Sequence, residues 1–345
     1  MPDLAPRGKP PGARAERDFV RAPRAAAGLT GDHPMEASFI IPLFNCLPLT
    51  QACVASLRAT LPRGLAHEII LVDDGSTDGT RAWLQGLAAP CRVLLNPRNL
   101  GYAGANNRAA ATATGRHLFL LNNDLVFPPG WFEPMRALLD ARPEAGLVGN
   151  VQLRADSRAI DHTGVYFTHQ GKPAHLTTIR PLARLTGRQE VAALTAACCA
   201  LRRDVWQDLG GFDEGYRNGG EDIDLCLRAR AAGRRNYVCT RSRVLHHVSQ
   251  SPGRKQRDEA NTRRLFQRWR EVIAPLAARD WSREYVARHW DRSHVFDDAL
   301  GRQALAYRLG LLPRPPAAIL AGVQAAMDAE LARWDALLGA ASPPT

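Results

Sequence analysis

The feature that most constrains this chain is a succession of four short apolar runs, at residues 38–43, 67–72, 91–95 and 117–121. Helical patterns separate them, over 48–60, 77–88 and about 102–113. The runs are apolar throughout rather than alternating, which fits strands covered on both faces. Strands alternating with helices predict an α/β fold with a doubly wound parallel sheet. In such sheets ligands sit beyond the carboxyl ends of the strands. Two of the runs end there in acids, Asp73-Asp74 and Asp124. A carboxylate in that place is poorly sited for packing and well sited for a ligand.

The second half is less regular. Strands are predicted at 145–151, 163–168 and 236–240, and helices at 202–209 and 221–232. Residues 170–190 read as a polar loop, and 191–201 as an apolar run of small residues. From about 256 the pattern is helical to 310, with one more helix over 316–338. Residues 1–35 are rich in Ala, Pro, Arg and Gly without any period, and read as a disordered tail. The expected organisation is therefore a tail (1–35), a main α/β domain (36–255) and a helical extension (256–345).

No apolar run reaches the ~18–20 residues of a membrane span. The N-terminus lacks the apolar stretch of a secretory signal. A soluble, cytoplasmic protein is the expectation. The seven cysteines form no C-x-x-C pair and read as reduced thiols. The formal charge is +11, and all but three of the 45 lysines and arginines are arginine. GC-rich codon usage explains this, and so does an anionic partner. No helix-turn-helix, zinc-finger or aromatic RNP pattern appears, so no nucleic-acid partner is expected.

Several constellations carry chemistry. Asp73-Asp74-Gly75-Ser76-Thr77-Asp78 joins tight-turn residues to carboxylates that can accept from a nucleobase or ribose, or else cap the next helix. Asn99-Leu100-Gly101 to Asn106 is a glycine-punctuated loop opening a helix, able to bring backbone N–H groups near a nucleotide. In Asn122-Asn123-Asp124 the acid can hold a divalent cation against a diphosphate, or simply end a turn. Gly219-Gly220-Glu221-Asp222-Ile223-Asp224 puts three acids at a helix start, as caps or as a proton acceptor. His246-His247 is followed by Arg254 and Lys255, an imidazole for a metal and cations for phosphate.

Taken in order, these motifs resemble the family-2 glycosyltransferases of the GT-A fold. The likeness is nearest to the bacterial branch that builds cell-surface polysaccharides, rhamnosyltransferase-like members included. It covers about residues 37–255. It implies a mixed, mainly parallel sheet flanked by helices, with a helical C-terminal extension. It implies an inverting enzyme that moves a sugar from a UDP- or dTDP-sugar to the hydroxyl of a glycan or lipid-linked acceptor. Asp222 would be the general base, with Glu221 beside it. Asp73, Asp74, Asn99, Gly101, Asn106, Asn123, Arg254 and Lys255 would hold the nucleotide sugar. Asp124 and His246 would hold Mn²⁺ or Mg²⁺. The first acid of the family's DxD element is Asn122 here. The alternative is a GT-A domain that binds nucleotide sugar with weak catalysis.

The stretch 252–270 is basic, with Arg263, Arg264, Arg268 and Arg270 alongside Leu265, Phe266 and Trp269 at helical spacing. It reads either as a core-packing stripe with a solvated basic face, or as a peripheral contact with the anionic inner face of the cell membrane.

Overall fold

The computed structural model describes residues 35–247, 258–290 and 294–339. The tail expected over 1–35 falls almost entirely outside the described residues, as do Arg254 and Lys255. The first half of the chain gives β1 (Ala37–Leu43), α1 (Leu47–Thr60), β2 (His67–Asp73), α2 (Thr80–Gln85), β3 (Cys91–Leu95), α3 (Gly101–Ala110) and β4 (His117–Leu121). Then follow β5 (Leu125–Val126), α4 (Phe132–Ala141), β6 (Ala145–Arg154), β7 (Ile160–His162), β8 (Val165–Phe167), β9 (Pro173–His175), α5 (Pro181–Thr186) and β10 (Arg188–Val191). The chain continues through β11 (Cys198–Arg202), α6 (Arg203–Leu209), α7 (Glu221–Ala231) and β12 (Arg235–His246). It closes with α8 (Asp258–His289), α9 (His294–Asp297), α10 (Ala299–Arg308) and α11 (Ala317–Gly339).

The main sheet runs in the order β10-β12-β6-β11-β4-β1-β2-β3. Strands β3, β2, β1 and β4 pair in parallel, as the apolar runs predict. Strand β11 enters antiparallel between β4 and β6, and β12 lies parallel to β6. Phe39, Ile40, Ile41, Ile69, Leu71, Phe119 and Leu121 are fully buried, because helices cover both faces. On one face Phe39, Phe119, Trp131 and Phe132 pack ring against ring, with centroids 5.1–6.1 Å apart.

Several elements differ from expectation. Residues 170–190 are not a plain loop: they hold β9, α5 and the start of β10. Helix α4 is not among the expected elements, although Phe132, Met135 and Leu139 lie buried at helical spacing along it. Strand β12 runs twelve residues, well past 240, because bulges let it keep pairing with β6.

The 36–255 and 256–345 segments share one core. Leu265, Phe266, Ile273 and Ala277 of α8 and Trp334 of α11 join the same buried cluster as Leu118, Leu120 and Leu225. Four arginines of α8, those of the basic stretch, are spent on ion pairs within the protein. Arg264 and Arg268 pair with Asp213 at 2.9 and 3.0 Å, and Arg270 pairs with Asp328 at 2.7 Å. Arg263 pairs with Asp335. This favours the packing reading of that stretch. All seven cysteines are unpaired.

Candidate active site

Beyond the carboxyl ends of β1, β2 and β4 lies a cleft of about 390 Å³. Of the residues singled out in the sequence, Asp74, Asn99, Gly101, Asn123, Asp124, Glu221 and Asp222 line it. Asp73, Asn106 and His246 do not.

The neighbouring acids Asp73 and Asp74 do different work, because successive residues leave the strand on opposite sides. Asp73 is fully buried; it pairs with Arg81 at 2.6 Å and accepts from the Ser76 N–H. Asp74 accepts from the backbone N–H groups of Leu100 and Gly101 at 2.8 and 2.9 Å and from Asn96 Nδ2 at 2.7 Å. It thereby holds the glycine loop against the cleft. Gly101 has φ +80°, a conformation that side chains disfavour, so glycine is required for the N–H to reach Asp74. Asn106 is buried and donates to the Tyr102 carbonyl, which makes it a brace of α3.

The three acids at the start of α7 also divide their work. Glu221 accepts from the Gly219 N–H at 2.7 Å and closes its own loop. Asp224 is fully buried among Arg228 Nε at 2.8 Å, Trp269 Nε1 at 2.8 Å and Arg268 at 3.1 Å. Asp222 also lines the cleft, and both its carboxylate oxygens are held by backbone groups: Oδ2 accepts from the Ala196 N–H at 3.1 Å and Oδ1 from the Ile223 N–H at 2.8 Å. Gly220 turns the chain at φ +92°, where a Cβ would come within 2.9 Å of the Tyr216 ring.

Residues 195–197 are the hub that sequence reasoning missed. Besides holding Asp222, Ala196 accepts from the Tyr102 hydroxyl at 2.8 Å, and Ala197 accepts from the Asn122 N–H at 2.8 Å. Burial, with Cys199, Glu221 and Asp222 nearby, pushes the Tyr102 phenol well above its usual range, so it stays a donor. His162 Nε2 accepts from the Thr195 N–H at 3.2 Å. Burial drives this imidazole well below its usual range, which keeps it neutral and able to accept. These contacts are made by backbone groups, for which small residues were the only signal. Asn218 was missed too; its Oδ1 accepts from the Tyr102 N–H at 3.1 Å and links the two glycine loops.

At the far side of the cleft, pairing of Leu125 with His246 sets Asp124 beside that histidine. Asp124 Oδ1 lies 3.2 Å from His246 Nε2, yet the two are not in hydrogen-bonding geometry. Asp124 Oδ1 and both ring nitrogens of His246 are buried without a hydrogen-bond partner. Such orphaned groups are costly unless something else binds them. Among the described residues no three of His, Cys, Asp and Glu converge on one point. A carboxylate and an imidazole side by side nevertheless suit a divalent cation whose remaining ligands come from a phosphorylated substrate.

A mixed, mainly parallel sheet with a cleft at its carboxyl edge, and acids on both walls, is the GT-A arrangement of nucleotide-sugar enzymes. The signature of glycosyl transferase family 2 matches residues 38–210. The chain belongs to that family. It is 33% identical over 228 residues to the O-antigen biosynthesis protein RfbC of Myxococcus xanthus, covering 63% of this chain and 18% of that protein. It is 29% identical over 239 residues to the N-acetylglucosaminyl-diphospho-decaprenol L-rhamnosyltransferase of Mycobacterium tuberculosis, covering 60% of this chain and 74% of that one. The chain spans 29% and 18% of the length of two of its curated relatives. The crystal structure of GalNAc-T7 with UDP, GalNAc and Mn²⁺ shares the fold, with a TM-score of 0.57 at 16% identity, covering 74% of this chain and 51% of that one.

Proposed function

We propose that the chain transfers a sugar, with inversion, from a UDP- or dTDP-sugar to a hydroxyl of a glycan or lipid-linked saccharide, in the building of a surface polysaccharide. The observation that carries this reading is Asp222, a carboxylate in the cleft held from behind by backbone N–H groups. The same cleft is lined by Asp124, which lies beside His246. In this reading the Asp74-anchored loop at Leu100 and Gly101 seats the nucleotide. Asp222 takes the proton from the acceptor hydroxyl as that oxygen attacks the anomeric carbon and the diphosphate leaves. Arg254 and Lys255 are proposed to face the diphosphate.

Asp124 and His246 would hold Mn²⁺ or Mg²⁺, which suits their orphaned polar atoms. When bound, the cation supplies positive charge to the leaving diphosphate. The relatives' names support the polysaccharide setting, and the Mn²⁺ and UDP of GalNAc-T7 support the cation and the donor.

A panel of nucleotide sugars with and without Mn²⁺, followed by calorimetry and by release of nucleoside diphosphate, tests the proposal. Mn²⁺-dependent binding of one donor and its turnover with an acceptor are expected. Binding without turnover on any acceptor would favour a nucleotide-sugar-binding domain instead. No binding of any donor would overturn both readings.

A further inference from the structure

Helix α5 is short, and two of its exposed residues are the wrong kind for water. Leu182 and Leu185 are 70% and 78% exposed, and three residues apart they share one face. The helix is firmly attached by its other side. Ala183 is buried, its carbonyl accepts from Thr240 Oγ1 at 2.9 Å, and the Gly187 carbonyl accepts from the Thr240 N–H at 3.0 Å. The two leucines are thus held out from the edge of the sheet, where β10 is the last strand.

The surroundings are cationic. Arg180, Arg184 and Arg188 flank the leucines in sequence, and Arg241 lies against Gly187. None of these four arginines has an ion pair among the described residues, in contrast to Arg263, Arg264, Arg268 and Arg270 of α8. Residues 177–189 contain no acid, and the next one, Glu190, pairs with Arg235 at 3.4 Å. Two projecting leucines within unpaired guanidinium groups match a surface with an anionic rim and an apolar interior.

We propose that α5 with Arg188 and Arg241 is the surface by which this protein docks on an anionic lipid bilayer, the leucines entering the headgroup boundary and the arginines meeting lipid phosphates. The proposal deepens the reading of a lipid-linked acceptor, and its purpose in the reaction rests on that reading.

The test is co-sedimentation of the full chain with phosphatidylcholine vesicles, with and without phosphatidylglycerol, over a range of salt. Binding is expected only to the anionic vesicles and weakens with salt. The double change Leu182→Gln with Leu185→Gln reduces affinity by at least about tenfold. Each of Arg180→Gln, Arg184→Gln and Arg188→Gln reduces it about fivefold. These side chains lie on the surface, and unchanged Mn²⁺-dependent UDP binding by each variant verifies its fold. Absence of wild-type binding at low salt overturns the proposal, as does a double-leucine variant that binds as well as wild type. So does a dimer, seen by light scattering, that the leucine changes dissolve, because the face is then occupied by a second copy. Loss of UDP binding by the wild type strikes the proposed function and leaves the docking surface standing.

Discussion

Ala196 gives its backbone N–H to Asp222, 3.1 Å from Oδ2, so the candidate base is aimed by a main-chain group rather than by another side chain. An amide oxygen can accept the same hydrogen bond. Asp222→Asn therefore keeps the bond from Ala196, gives up the one from Ile223 and removes the basicity. Turnover is expected to fall roughly 10²–10⁴-fold, while donor affinity by calorimetry stays unchanged. A comparable loss of donor affinity would move Asp222 from the acceptor to the donor side.

The orphaned pair at the other wall gives a second expectation. Asp124→Ala removes the one carboxylate of the Asn122-Asn123-Asp124 element. Mn²⁺-dependent binding of UDP should disappear in calorimetry, with the thermal transition retained. Metal dependence that survives the change would exclude Asp124 as a ligand.

Asp73 and Asp74 should part company under mutation. Asp74→Ala leaves the N–H groups of Leu100 and Gly101 without their acceptor. It should cost about 2–3 kcal/mol in urea denaturation and weaken UDP binding as well. Asp73→Asn breaks the pair with Arg81 and should lower stability while moving UDP affinity far less. Equal effects on binding would place both acids at the nucleotide.

Acid should destabilise the protein in a definite window. His117 is buried, and burial outweighs the nearby Asp140 to push its pKa from 6.5 down to about 4. The unfolded chain thus takes up a proton before the folded one does. Stability is complete above pH 6.5 and is lost as pH falls toward 4, by about 3 kcal/mol from this residue. Neutral His162 contributes with the same sign. Denaturation midpoints measured from pH 7 to pH 4 should show the decline, and His117→Gln should flatten it.

How far the sequence could be read depended on how each residue does its work. Strands β1 to β4 were legible because burial on both faces makes them apolar from end to end. The short α5 and β10 were not, since six and four residues are too few to display a period. The acids of the cleft were legible as a set. Which of Asp73 and Asp74, or of Glu221, Asp222 and Asp224, faces the cleft depends on strand parity and on helical phase, and neighbouring residues share neither. Residues 195–197 act through N–H and C=O groups that every residue carries, so their small side chains mark the stretch but not its role.

The grip of α8 on the start of α7 bears on how such proteins are inherited and recombined. Trp269 and Arg268 hold Asp224, two residues from the candidate base. Asn261 clasps the backbone of Arg217 through both its N–H and its carbonyl, at 3.2 and 3.0 Å. The family signature matches residues 38–210, so Ala196 lies inside it while the candidate base and helix α8 lie beyond it. A graft of C-terminal helices from one relative onto the sheet of another therefore replaces the contacts made to Arg217 and Asp224. Segments exchanged one without the other bring Arg217 and Asp224 against helices that were not shaped to hold them.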